Sequence, residues 1–149
     1  MKALKHALVV MDKPKHDQIA FKRALALGKA QAAAVEGTPE LQLKAFVYNE
    51  AVMDSSLDVR DQTALRRTLT QTRKTWLAEQ VTKAETQGVE AKGDTVWTEA
   101  LARWTCDAAE RGAVDLVVKT IHKSKTLTHT PADWTLLRQC RAPVLLCTR

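Results

Sequence analysis

The sequence predicts a single-domain α/β fold, an open parallel five-stranded sheet with helices on both faces. Three observations carry that expectation. Short apolar runs alternate with longer segments of helical periodicity along all 149 residues, the pattern of strands joined by helical crossovers. Val114 to Val118 is almost continuously apolar, as suits a strand covered on both faces. From there to Cys147 the chain spells strand, polar loop, helix and strand, the connection that adjacent parallel strands require.

Leu4 to Met11, centred on ALVV, is the first strand. Lys13-Pro14-Lys15-His16 breaks it, and Asp17 is placed to cap the helix that follows. Ala20, Ala24 and Leu27, flanked by Phe21 and Leu25, give that helix an apolar face. Gly37-Thr38-Pro39 punctuates it. Leu41, Leu43, Ala45 and Val47 alternate through a second strand reaching Tyr48. Ser56 to Gln87 reads as a long polar helix, with Leu65, Leu69 and Trp76 at helical spacing and Leu77, Val81 and Ala84 continuing the stripe until Gly88 stops it.

Val89 to Val96 is a weak third strand, interrupted at Gly93. Trp97, Leu101, Trp104 and Ala108 recur at i, i+4, i+7 and i+11, which predicts a third helix running to Gly112. After the fourth strand and the basic loop Lys119 to His129, Thr130-Pro131-Ala132-Asp133 has the order of a helix start. Threonine accepts at the cap, proline suits the first helical position, and the helix dipole favours an acid in the first turn. Leu136, Leu137 and Cys140 continue that helix, and Val144 to Cys147 is the fifth strand.

Composition narrows the function classes. The chain is 45% hydrophobic and 27% charged, ordinary for a globular domain. Its net charge of +6 reads either as solvated basic helix faces or as attraction to an anionic partner. Arg60, Arg66, Arg67, Arg73, Lys74 and Lys83 are scattered rather than clustered, and no zinc-finger or RNA-recognition motif occurs, so nucleic acid is not the expected partner. Cys106, Cys140 and Cys147 have no CxxC spacing, which excludes a sequence-evident metal site or disulfide framework and leaves reduced, buried thiols as the expectation. The apolar run Ala7 to Met11 is too short for a signal peptide and no stretch approaches the length of a membrane span. A cytoplasmic protein is expected.

DLVVK, then TPADWTLLRQC, then APVLL resembles the C-terminal half of a universal stress protein domain. VVMD, LKAFVYNE and GVEAKGDTVW extend the likeness over almost the whole chain, taken here as one domain of residues 1–149. The TPADW and LLRQCRAPV segments are most similar to the E-type members, which usually carry two such domains in tandem. The resemblance implies a Rossmann-like sheet of the adenine-nucleotide alpha-hydrolase kind, with strand order 3-2-1-4-5. The switch point then lies between strands one and four, where open sheets of this kind bind ligands beyond the strand carboxyl ends. Asp12 and the loop after Val118 should face each other there.

Candidate residues follow from that placement. The family's nucleotide-binding members contact the nucleoside through an aspartate at the position of Asp12; the alternative is an aspartate that satisfies backbone donors before Pro14. Val47 stands where relatives line a base pocket, or is plain core. ATP-binding relatives carry glycines after the fourth strand, whose backbone N–H groups close around phosphates. Here those places hold Thr120, Lys123 and Thr130, and Pro131 lacks a donor. His122, Lys123, Lys125 and His129 offer side-chain charge instead, either for an anion or simply for solvent.

No nucleophile elbow and no metal-ligand spacing is present, so no catalytic or metal residue is assigned. The tryptophans read as core or interface packing, except Trp134 near the cleft mouth. The leading expectation is a non-enzymatic, cofactor-free universal stress protein acting in stress response. A nucleotide (ATP)-binding regulator and a binder of an amphiphilic small molecule are the alternatives. Pairing through the last strand, as a homodimer or between tandem halves, is the partner expectation.

Overall fold

The computed structural model describes residues 3–34, 37, 39–53, 56–121 and 131–148. Among these residues five strands alternate with four helices: β1 (His6–Met11), α1 (Ile19–Ala34), β2 (Glu40–Val47), α2 (Val59–Thr86), β3 (Ala91–Trp97), α3 (Leu101–Arg111), β4 (Leu116–Thr120), α4 (Pro131–Gln139) and β5 (Val144–Cys147). A single 3-10 turn, Glu50–Met53, lies between β2 and α2. The sheet order is β3-β2-β1-β4-β5 and every pairing is parallel.

Central β1 explains why its sequence is apolar without alternation. Ala7, Val9 and Met11 join the larger core cluster with Ala20, Phe21, Ala24 and Leu25 of α1 and Leu77 and Ala84 of α2. Leu8 and Val10 point the other way, into a smaller cluster with Val117, Val114 and Ala109. A strand whose successive side chains enter opposite cores has no polar face to show. In β2 the buried residues are the alternating set Leu41, Leu43, Ala45 and Val47.

Several sequence expectations shift. β4 runs two residues later than Val114 to Val118, because Lys119 and Thr120 are themselves buried and belong to the strand. Trp97 closes β3 instead of opening a helix. The stripe that α3 buries is Ala102, Thr105 and Ala109, while Trp104 is exposed. In α1 the face is completed by Phe21, Leu25 and Gly28, and Leu27 is exposed. Helix α2 has 28 residues, about 42 Å at 1.5 Å per residue. It buries only Leu77 and Ala84, and Leu65 is exposed.

Gly93 does not interrupt β3. A Cβ there would sit 3.0 Å from Leu77 and 3.1 Å from Val81, so the glycine is what lets α2 cross the strand so closely. Among the described residues no helix is long and apolar enough to cross a membrane.

Candidate functional site

The switch point is where the topology places it, with β1 flanked by β2 and β4. Val10 pairs with Lys119 in the β1–β4 register, which brings Asp12 and the end of β4 to the same end of the sheet. Three local arrangements build this end.

The first is the turn after β1. Asp12 is held through its backbone by Gln18: its N–H donates to Gln18 Oε1 at 2.9 Å, and Gln18 Nε2 donates to the carbonyls of Asp12 and Lys13. Asp12 Oδ1 accepts the N–H of Lys13 at 2.9 Å and lies 3.3 Å from His16 Nδ1. The backbone-satisfying alternative for Asp12 is thus present in the structure. His16 is the histidine brought beside it.

The second arrangement joins β4 to α1. Thr120 is buried, and its Oγ1 accepts the N–H of Ala20 at 3.0 Å. Ala20 lies in the first turn of α1, where backbone donors have no partner within the helix and where an anion would otherwise be drawn. A side chain of this chain already occupies one of those donors.

The third joins β4 to α4. Lys119 Nζ donates to Asp133 Oδ1 at 2.6 Å and to the carbonyl of Thr120 at 3.2 Å. The Lys119 side chain is 8% exposed and that of Asp133 is fully buried. Burying two charges is tolerable only with such close pairing and further hydrogen bonds. Sequence reading placed Lys119 in a solvated loop and Asp133 at a helix dipole. The one available signal was their position, a lysine directly after an apolar run and an acid in the next helix start.

Of the other expected site residues, Val47 is buried at the last position of β2. His122, Lys123, Lys125, His129 and Thr130 lie outside the described residues, and so does the expected Thr130 cap. Beyond β2 and β3, Tyr48 and Trp97 meet with ring centroids 5.9 Å apart, and the Arg66 guanidinium lies 5.4 Å over the Trp97 ring. Arg73 Nη1 donates to the Phe46 carbonyl at 3.3 Å, and burial pulls its pKa below the ordinary value. Trp76 is half-buried against the larger core, and Trp134 is exposed. No cluster of three metal-ligating side chains occurs among the described residues.

A groove of about 740 Å³ lies at the opposite end of the sheet. It is lined by Arg103, Cys106, Asp107, Asp115, Arg141 and neighbouring residues. There Asp115 accepts the N–H groups of Lys5 and His6 at 2.8 and 3.1 Å. Those two donors, before any charge effect, hold its carboxyl below the ordinary value of 3.8. Ala113, in the turn that enters β4, has φ 48°, a left-handed conformation that costs a residue with a Cβ about 1–2 kcal/mol. Cys147 is buried as expected, but Cys106 and Cys140 are only half-buried and face each other.

With this geometry in place, comparison with known proteins is informative. The model of the Universal stress protein family matches residues 3–148. Universal stress protein E of Salmonella typhi is 30% identical over 147 residues, covering 97% of this chain and 45% of that protein. The chain therefore spans about half the length of the curated relatives it matches. Among solved structures, universal stress protein UspA from Lactobacillus plantarum is similar with a TM-score of 0.77 at 14% identity, covering 98% of this chain and 99% of that one. A universal stress protein family protein from Arabidopsis thaliana with AMP bound gives 0.63 at 14% identity, covering 97% and 92%. At those identities the likeness speaks for the fold.

Proposed function

Because this chain belongs to the universal stress protein family, we propose that it serves in stress response as a non-enzymatic, cofactor-free binding protein whose cleft does not grip ATP through a glycine-rich phosphate loop. The observation that carries this reading is the internal use of the groups at the carboxyl end of β4. Thr120 holds an α1 N–H, and Lys119 is committed to a buried carboxylate. A phosphate cradle needs convergent N–H donors on a backbone that a ligand can approach. Thr120, Lys123, Thr130 and Pro131 stand where relatives have small or donating residues. The remaining attraction is Coulombic and screened over about 8 Å at physiological salt.

Calorimetry with ATP at physiological salt tests this. The expected dissociation constant is millimolar to high micromolar and rises steeply with salt. A low-micromolar, salt-insensitive constant abolished by Asp12→Ala would overturn it. The nucleotide-binding alternative has its support in the AMP carried by the Arabidopsis relative and in the position of Asp12 after β1. An amphiphilic ligand would show itself as a molecule released from denatured protein in mass spectrometry.

The same proposal includes a cytoplasmic location and pairing through β5. That strand ends one edge of the sheet and leaves Leu145 39% exposed, and open edges accept further strands.

A further inference from the structure

Cys106 and Cys140 are 34 residues apart in sequence and their sulfur atoms are 2.8 Å apart, with the Cys140 thiol donating to Cys106. Cys106 sits on α3, and Cys140 directly follows α4. One contact spans the two elements at this point and another fixes Cys140 to its own helix. One turn beyond Cys106, Glu110 Oε1 lies 3.3 Å from Nη1 of Arg141, the residue after Cys140. The Cys140 N–H also donates to the Leu136 carbonyl at 3.0 Å, anchoring it to the end of α4. The thiols are thus paired side by side with an ion pair that bridges the same two segments. Closing from 2.8 Å to a sulfur–sulfur bond of about 2.05 Å asks for less than an ångström of movement.

Access is provided as well. Cys106 lines the groove of about 740 Å³, and Arg103, Gln139 and Arg141 line it around the pair. Both cysteines are half-buried rather than sealed in the core. Neither belongs to the switch-point arrangement of Asp12, Lys119 and Thr120, which lies at the other end of the sheet.

We propose that Cys106 and Cys140 form a peroxide-sensitive dithiol site, which a hydroperoxide converts to an intramolecular disulfide joining α3 to the end of α4. The Cys106 thiolate attacks the peroxide oxygen, the O–O bond breaks, and the departing alkoxide or hydroxide takes a proton to leave as alcohol or water. This step leaves a sulfenic acid on Cys106. The Cys140 sulfur then attacks the Cys106 sulfur, displacing hydroxide, which takes the Cys140 proton and departs as water. Two thiols lose two electrons and two protons, and the peroxide is reduced to two molecules of water or to one of alcohol and one of water.

The division of roles follows from the geometry. Cys106 lines the groove, so it is the sulfur that a peroxide entering there meets first. Cys140 is the donor, and burial, then the hydrogen bond to Cys106, push its pKa up to about 12. It therefore waits as a thiol until the sulfenic acid forms.

The test treats the reduced full chain with one equivalent of hydrogen peroxide, followed by intact-mass and peptide mass spectrometry under non-reducing conditions. The expected product is monomeric in covalent terms and lighter by two hydrogens, with a Cys106–Cys140 crosslink, a free Cys147 and full reversal by dithiothreitol. In Cys140→Ser, dimedone should label Cys106 as a sulfenic acid. In Cys106→Ser, Cys140 should be at least tenfold slower to oxidise. The parent-chain result does not depend on either variant folding. Retention of both thiols, oxygen addition without a crosslink, or a disulfide between chains would each overturn the proposal.

Discussion

The hydroxyl of Thr120 and the N–H of Ala20 meet across 100 residues of sequence at 3.0 Å, tying the end of β4 to the first turn of α1. Both residues are buried, so removing the acceptor strands a donor away from water. Thr120→Val, which keeps the shape and deletes the hydroxyl, should destabilise the protein by about 1–3 kcal/mol. Urea unfolding of the two proteins checks this, with equal midpoints counting against the bond. Thr120→Gly should lose the same bond and still fail to produce tight ATP binding, since the other cradle positions remain unsuited.

The Lys119–Asp133 pair gives an asymmetric prediction. Lys119→Met leaves the Asp133 carboxylate buried without its cation and should cost about 3–5 kcal/mol. The double variant Lys119→Met with Asp133→Leu should recover most of that loss, since an apolar pair of similar volume avoids burying charge. A double variant less stable than Lys119→Met in chemical denaturation would show that the carboxylate has a use the lysine does not share.

Gly93→Ala places a methyl 3.0 Å from Leu77 and 3.1 Å from Val81. Two branched side chains on a helix must yield to it, and overpacking of this kind costs about 1–3 kcal/mol. Thermal unfolding measures the effect. An alanine variant as stable as the parent would mean that α2 shifts freely on the sheet.

Asp115 makes stability depend on acidity in a set direction. Its folded-state pKa lies below the ordinary 3.8, chiefly through the Lys5 and His6 N–H groups. The unfolded state therefore binds a proton first as pH falls. The contribution is fully present well above 3.8 and is lost as pH drops through the folded value. Asp115→Asn should accordingly be less stable than the parent at neutral pH, with the gap narrowing below pH 3.8. A gap that stays constant down to pH 2, measured by denaturation, contradicts this.

Pairing through β5 is checked by one surface change. Leu145→Lys puts a charge on the exposed position of the edge strand, a device by which sheets resist edge-to-edge contact. The parent should scatter light as a dimer at high micromolar concentration and the variant as a monomer. A monomeric parent removes the idea.

The order of elements was legible because each apolar run is short and each helix is punctuated by glycine or proline. Errors gathered where polarity and burial part company. Lys119 and Thr120 look like loop residues, yet their polar atoms are satisfied inside the fold, and the strand extends through them. Trp97 and Trp104 suggested a helical stripe, but the stripe that α3 buries consists of Ala102, Thr105 and Ala109, small residues that carry little hydrophobic signal. At the site, Asp12 could be placed from the strand that precedes it. Its backbone partner Gln18 could not, because a turn's hydrogen bonds leave no periodic trace. Nor does a sequence without CxxC spacing announce that Cys106 and Cys140 will touch.

The position of β1 at the middle of the sheet has a consequence for biosynthesis. Its partner on one side is β4, and Lys5 and Asp115, bonded to each other at this junction, stand 110 residues apart. At about 5–20 residues per second on a ribosome, roughly 5–20 s separate the emergence of Ala7 to Val10 from that of their partners Leu116 to Lys119. β2 can cover one side of β1 early, but the other side waits as an open, apolar edge. The nascent domain is thus most vulnerable to sticking to its neighbours before β4 exists, and a holding chaperone has its natural target at β1.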